Sequence, residues 1–537
     1  MRMFDFSCQA AYRGSTSGEQ GGPTMPHTAP PKAVVLGIDG GSLELIEPLV
    51  AEGALPVLGK LLADSAHGPT TTTWPAHTAP GWSTFVTARR PGGHGIYQFF
   101  DTQDPVYGDR LVGTGDYGCD TAWEWFARQG WSVGLVNVPM SHPPREVPGY
   151  QLTWPLARTL RYSEPPGLLG ELARAGAGFK ADIAAMFQGD LSYAEAAVEH
   201  VRARGRTIQY VLRERPVDVF MAVITEIDRI CHHYWHFADA CHDRHTAPDR
   251  QEWADAIRAT YLAIDEVFGE ILDVVGDETP VLLLSDHGFG PGRYNVAVNA
   301  VLAEAGLLAT RPAAASPAEG DGLADWFRAE GREVDFTRTR AYMPTPGCYA
   351  VNVNLAGRQR DGTVTDPGPV LAEVAGLLLG LRAPDTGAPV FAAALPREDA
   401  YPGPMTHAAP DLLLIPADEG VLASPAIGGP LWRPSEQTGM HRYLGMWALR
   451  GTSLAPGRRT APVALADLMP TLLEEAGLTF PAAVHGRPLQ WGGAEGGRAF
   501  LAPGETASAV ASGRAGETAR LSEEDLTAKA LGAMGYL

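Results

Sequence analysis

The chain has 537 residues and a formal net charge of −20, an acidic balance that argues against a nucleic acid duplex or an anionic membrane surface as its main partner. Hydrophobic residues make up 45% of it, which excludes wholesale disorder. No apolar run reaches the ~18 residues that a membrane span requires.

Residues 1–31 hold Gly, Ser, Thr and Pro without the apolar stretch of a signal peptide, so a disordered tail is expected there, with Met25 as a candidate start. Ala33–Ile38 is a continuous apolar run, the pattern of a strand buried on both faces, and it ends in the turn Asp39-Gly40-Gly41. Helical spacing follows over 43–65, broken at Pro56. Further strands are expected at 131–138, 217–227 and 281–284, and helices at 193–213, 252–275 and 297–306. Alternation of this kind predicts an α/β protein with a mostly parallel central sheet covered on both faces.

Two stretches interrupt the rhythm. Residues 141–190 are rich in Pro, Gly and Ala and are expected to form a cap-like segment. Residues 307–440 look like an inserted cap, with a strand near 349–355 and a helix near 370–382. The sheet is expected to resume at 411–415 and 446–449, followed by a helix at 464–476. The core thus spans 32–306 and 441–495, and 496–537 is a tail with one short helix near 522–533. Cys8, Cys119, Cys231, Cys241 and Cys348 are too few and scattered for a disulfide framework. Free thiols and a cytoplasmic location are the simple reading.

Polar groups cluster where the strands end, the place where open α/β sheets bind ligands. Asp39 follows the first strand. Thr78 precedes a helix-like segment, with Ala79-Pro80 after it. Asp228 follows the 217–227 strand, with His232 four residues on. Asp286 and His287 follow Leu284-Ser285, and His441 precedes the 446–449 strand. Taken singly, each has a plain structural role: a turn or cap for Asp39, an N-cap for Thr78, a solvated helical pair for Asp228 and His232, a strand-end turn for Asp286 and His287. Together, three Asp and three His are the donors that two divalent ions need.

The segments GIDGGS, HTAPGWSTFVTARRPGGHGI, TEIDRICHH, LSDHGFGP and GMHR resemble those of the type I phosphodiesterase/nucleotide pyrophosphatase branch of the alkaline phosphatase superfamily, in particular its bacterial subgroup of predicted phosphohydrolases or phosphomutases. The similarity runs from about residue 33 to 490. It implies an alkaline phosphatase-like three-layer α/β/α sandwich with inserted caps. It also implies two divalent ions, with Zn²⁺ expected and Mn²⁺ or Fe as alternatives. One ion would sit on Asp228, His232 and His441, and the other on Asp39, Asp286, His287 and the nucleophile Thr78. Thr78 is chosen over Thr73 because the family places its nucleophile 16 residues before the His of the HGI segment, here His94.

His94, His233 and His236 have no slot in that pattern. The implied activity is hydrolysis of a small-molecule phosphate ester through a phosphothreonine. A phosphomutase, a non-catalytic phosphate-binding protein and a headgroup transferase are the alternatives. One position departs from the nucleotide pyrophosphatases: their phosphoryl-binding Asn corresponds to Phe99, which argues against nucleotide diesters. Sulfate esters are disfavoured because Thr78-Ala79-Pro80-Gly81-Trp82 lacks the Arg of the sulfatase pattern.

Overall fold

The computed structural model describes residues 30–155, 159, 161–181, 191–245, 251–313, 327–329, 331–481 and 483–489. The expected tail helix near 522–533 and nearly all of the N-terminal tail lie outside these residues.

A ten-stranded sheet forms the centre of the protein. Its order is Gly457–Arg458, Ser65–Thr71, Leu444–Arg450, Val281–Leu284, Ala33–Ile38, Val219–Ile224, Val133–Val136, Gly149–Leu152, Ser163–Glu164, with Val463–Ala464 also paired to Ser65–Thr71. The strands from Val281–Leu284 through Gly149–Leu152 run parallel, and Leu444–Arg450 is antiparallel to both of its neighbours.

Side chains alternate across each strand, so Ala33–Ile38 feeds two cores. Val34, Leu36 and Ile38 pack on one face with helices Leu43–Ala51, Pro56–Ala63, Leu191–Glu214 and Ala256–Val275. Ala33 and Val35 pack on the other with Thr78–Thr87, Ala122–Arg128 and Leu465–Glu475. That is a three-layer α/β/α sandwich, and it explains why the central strands read as unbroken apolar runs. Truncating a fully buried member such as Leu36 to Ala should cost about 2–5 kcal/mol.

Register explains where the polar residues gather. Ile38 lies opposite Ile224, and Gly37 opposite Leu284, so three parallel strands end at one edge and release Asp39, Thr225 and Ser285-Asp286 side by side. Trp447 pairs with Leu284 in the opposite sense, which brings the residues before Leu444 to the same edge. Thr71 pairs with Leu444, so the chain from Thr72 to Thr78 leaves there too.

Four expectations are corrected. The stretch 141–190 is not simply a cap: Gly149–Leu152 and Ser163–Glu164 extend the central sheet, and Leu168–Arg174 is helical and packs into the first core. The run 411–415 does not return to the central sheet. Leu412–Pro416 joins Ala341–Tyr342, Ala350–Val353 and Phe391–Pro396 in a separate antiparallel sheet, covered by helix Pro367–Leu379. This second body has its own core, which also recruits Val296, Val298 and Leu302 from before the expected boundary at 307. The strand expected over 217–227 stops at Ile224 because a helix starts at Glu226.

Candidate active site

Asp39 leaves its strand into a turn that only glycine can complete. Gly40 has φ +68°, and a Cβ there would lie 2.8 Å from the Phe289 ring. The turn aims the Gly40 N–H at Asp286 Oδ1, 3.2 Å away. The other Asp286 oxygen, Oδ2, is buried without a hydrogen-bond partner and lies 3.2 Å from His287 Nε2. Asp39 itself accepts from the Trp82 indole at 3.3 Å through Oδ2.

Thr78 is the first residue of the helix Thr78–Thr87, and its side chain is fully buried. The cap is His77, whose Nδ1 accepts from the Ala79 N–H at 3.1 Å. The Thr78 hydroxyl lies 3.3 Å from Asp39 Oδ1 and 3.3 Å from His287 Nε2. Thr73 is committed elsewhere: its hydroxyl donates to the Pro75 carbonyl at 2.9 Å.

The helix Glu226–Ala238 carries Asp228 and His232 one turn apart, so both face the same side. His441 sits on the short strand Gly439–Arg442, paired with Gly288–Pro291 directly after His287. Its Nε2 lies 3.1 Å from Asp228 Oδ1 and 3.0 Å from His232 Nε2, while His232 Nε2 is 3.7 Å from Asp228 Oδ2. Asp228 Oδ1 is also 4.0 Å from His287 Nε2, so this carboxylate stands between the two groups. All seven residues singled out in the sequence therefore converge. Ligand atoms of Asp228, His232 and His441, and those of Asp39, Asp228 and His287, lie within 4.8 Å of one another.

The donor set fits cations on two counts. First, each histidine pairs its Nδ1 with a backbone carbonyl: His232 with Gly439 at 2.9 Å, His287 with Gly288 at 3.1 Å, His441 with Ala76 at 2.9 Å. A carbonyl only accepts, so Nδ1 holds the proton and Nε2 turns a lone pair into the site. Two such lone pairs 3.0 Å apart, on His232 and His441, repel unless a cation lies between them.

Second, three carboxylates share a dry space. Burial pushes Asp39 well above the usual carboxylate range, and the charges of Asp286 and Asp228 push the same way. Asp286 is raised by burial and then by Asp228. Burial acts to raise Asp228 too, but the imidazoles of His232, His441 and His287 outweigh it and hold this carboxyl below its ordinary value. Burial lowers His232 to about 4 and drives His287 well below its usual value. Three buried carboxylates thus press against one another in this space, and a divalent cation would offset their charge.

The remaining histidines stay out of the cluster. His94 bonds Thr84 Oγ1 at 3.1 Å and accepts from the Ile96 N–H at 3.1 Å. His236 Nδ1 lies 2.9 Å from Thr438 Oγ1, and the His233 ring packs edge-on against Tyr193. Phe99 is buried, its ring centroid 4.6 Å from that of His77. Two elements of the site were not legible beforehand, the His77 cap and an adjoining cleft. The cleft is small, about 40 Å³ and open to solvent, with His232 and His441 in its wall and Tyr349, Glu419 and Leu422 contributed by the second body.

A three-layer sandwich with paired Asp/His clusters at one sheet edge is the architecture of an alkaline phosphatase-like hydrolase. Residues 33–444 match the type I phosphodiesterase/nucleotide pyrophosphatase family, and the chain belongs to that family of metal-dependent hydrolases acting on phosphoric ester bonds. No curated protein matches it by sequence. Among solved structures it is similar to phosphonoacetate hydrolase from Sinorhizobium meliloti 1021 in complex with phosphonoformate, with 15% identity and a TM-score of 0.51 over 83% of this chain and 95% of that one. It is also similar to murine ectonucleotide pyrophosphatase/phosphodiesterase 5, at 13% identity and a TM-score of 0.48 over 84% and 96% of the two chains. At such identities the likeness concerns the fold.

Proposed function

We propose that the protein hydrolyses a small-molecule phosphate ester through a covalent phosphothreonine at Thr78. The observation that carries this reading is the position of the Thr78 hydroxyl, buried at a helix start with Asp39 Oδ1 and His287 Nε2 each 3.3 Å away. A threonine hydroxyl is a weak nucleophile at neutral pH, and two acceptors beside it are the surroundings that activate one.

Asp228, His232 and His441 would hold one divalent ion, and Asp39, Asp286, His287 and Thr78 a second, with Zn²⁺ the first choice from a His/Asp donor set. Such ions supply Lewis acidity, lowering the pKa of the hydroxyl and offsetting charge on the phosphoryl oxygens. Thr78 Oγ1 forms the new bond to phosphorus as the ester P–O bond breaks and the alcohol leaves. The Thr78 proton leaves to solvent, because Asp39 Oδ1 and His287 Nε2 would be engaged with the cation, and the departing alkoxide takes up a proton from water. Water then adds to phosphorus, the Thr78 Oγ1–P bond breaks and the threonine regains its proton. The helix N-terminus favours the negative charge that develops there. His77 fixes the turn that presents Thr78.

Phe99 places an apolar ring beside His77, where the resemblance to nucleotide pyrophosphatases would put a hydrogen-bond donor, so nucleotide diesters are expected to be poor substrates. Cys119, Cys231, Cys241 and Cys348 are free thiols, which suits the reducing cytoplasm that we propose as the location.

The paired variants Thr78→Ala and Thr73→Ala test the reading on a panel of phosphate mono- and diesters. Turnover should collapse in the first and persist in the second. Loss in Thr73→Ala with retention in Thr78→Ala would move the nucleophile.

A further inference from the structure

The cleft beside His232 and His441 is walled by Trp74, Tyr349, Leu422 and Met440, and the Trp74 ring stacks on Tyr443 at 4.7 Å. No Lys or Arg is among the described residues that line it. Its one acidic lining residue is Glu419, half-buried and reaching in from the second body. Glu419 is held in place, because Oε1 accepts from the Tyr443 N–H at 2.6 Å. The guanidinium of the nearby Arg442 is close enough to act on the Glu419 charge, although it is not among the lining residues. Its Nη1 donates to the Glu419 carbonyl at 2.9 Å and its Nη2 to the Pro291 carbonyl.

We propose that this cleft receives the organic arm of the phosphate ester and that Glu419 selects arms bearing a positive charge over anionic ones. The proposal rests on the reading of the neighbouring site as a phosphoesterase. An apolar stem gains by leaving water for the Trp74, Tyr349 and Leu422 surfaces. A cationic head is attracted both by aromatic faces and by the Glu419 carboxylate. An anionic arm, including a second phosphate, meets that carboxylate, and like charges brought together in this way disfavour the wrong partner.

The test uses three p-nitrophenyl phosphodiesters that release the same chromophore and differ in the second arm: trimethylammonioethyl, phenyl and carboxyethyl. The kcat/KM for the cationic arm should exceed that for the anionic arm by about tenfold or more, the factor that about 1.4 kcal/mol supplies. Glu419→Gln should shrink that ratio by a similar factor, through KM rather than kcat. Equal handling of the two arms, or a ratio that Glu419→Gln does not move, overturns the proposal.

Calorimetry with phenyltrimethylammonium separates the cleft from the chemistry. Binding that Glu419→Gln weakens supports the assignment, and no binding to the wild-type protein overturns it. If the ammonium binds in this way while no ester is cleaved, the cleft assignment stands and the phosphoesterase reading falls.

Discussion

Replacing Asp228 by Asn should have a small effect on the metal-free protein and a large one on the metal-loaded protein. Asp228 and Asp39 offer oxygens within 4.8 Å of each other, and two unit charges at that distance repel by about 3 kcal/mol at an effective dielectric constant of ~20. Burial raises Asp39 and Asp286 well above the usual carboxylate range, and the Asp228 charge pushes both the same way. The amide of the variant keeps the shape and removes the charge, which relieves repulsion from the other carboxylates but gives up the pull of His232, His441 and His287 on Asp228; the two oppose, so metal-free Asp228→Asn should melt within about 2 °C of the metal-free wild type. With divalent metal the loss is large. The variant loses the carboxylate that stands between His441 and His287, and with it most of the metal-induced rise in Tm. Thermal scans in chelator and in excess Zn²⁺, for both proteins, measure all four values. A metal-free variant well below the metal-free wild type, with the metal-induced rise intact, would refute the reasoning. Asp228 would then be a structural acceptor for His441 and His232.

Gly439→Ala should cost about 1–3 kcal/mol and lower metal content, because its Cβ would lie 2.2 Å from the Cys231 carbonyl and the Gly439 carbonyl orients His232; melting and elemental analysis check both effects. Trp82→Phe removes the indole donor to Asp39 Oδ2 and should weaken metal affinity by about 10–100-fold, measured by chelator competition, while the fold persists by circular dichroism. Metal uptake should strengthen as pH rises. Asp39 and Asp286 are raised by burial in the metal-free protein, so a cation must displace their protons, and binding is lost progressively as pH falls through those raised values. Titrations in buffers of different ionisation enthalpy should detect proton release, and none at any pH would contradict the assignment.

Much of the fold was legible because its central strands are buried on both faces. Ala33–Ile38 and Val281–Leu284 read as apolar runs with polar residues immediately after them, and the structure reproduces both. The seven candidate residues were picked out partly because polar groups follow the strand ends and partly by the resemblance to the family's motifs, which alone favoured Thr78 over Thr73; the structure brings them together. The short strands towards the margin of the sheet give no such signal. Gly149–Leu152 contains one glycine and one glutamine, and Ser163–Glu164 is two polar residues, so neither shows a period. The run at 411–415 was recognisable as a strand, but apolar composition does not say which sheet a strand joins. His77 as a helix cap was not legible because histidine is not among the usual capping residues. Glu419 sits in an Asp-Glu-Gly turn that reads as solvated loop, and only the packing of the second body against the site turns it towards the cleft.

The covalent role of Thr78 is the central claim, and trapping tests it most directly. The metal-loaded enzyme is mixed with its best ester substrate, quenched in acid on the millisecond to second scale, digested and analysed by mass spectrometry. The account predicts a phosphorylated peptide containing Thr78, formed and consumed at rates compatible with turnover and missing in Thr78→Ala. Full turnover with no phosphopeptide at any quench time, and with activity retained in Thr78→Ala, would contradict it and leave direct attack by water as the mechanism.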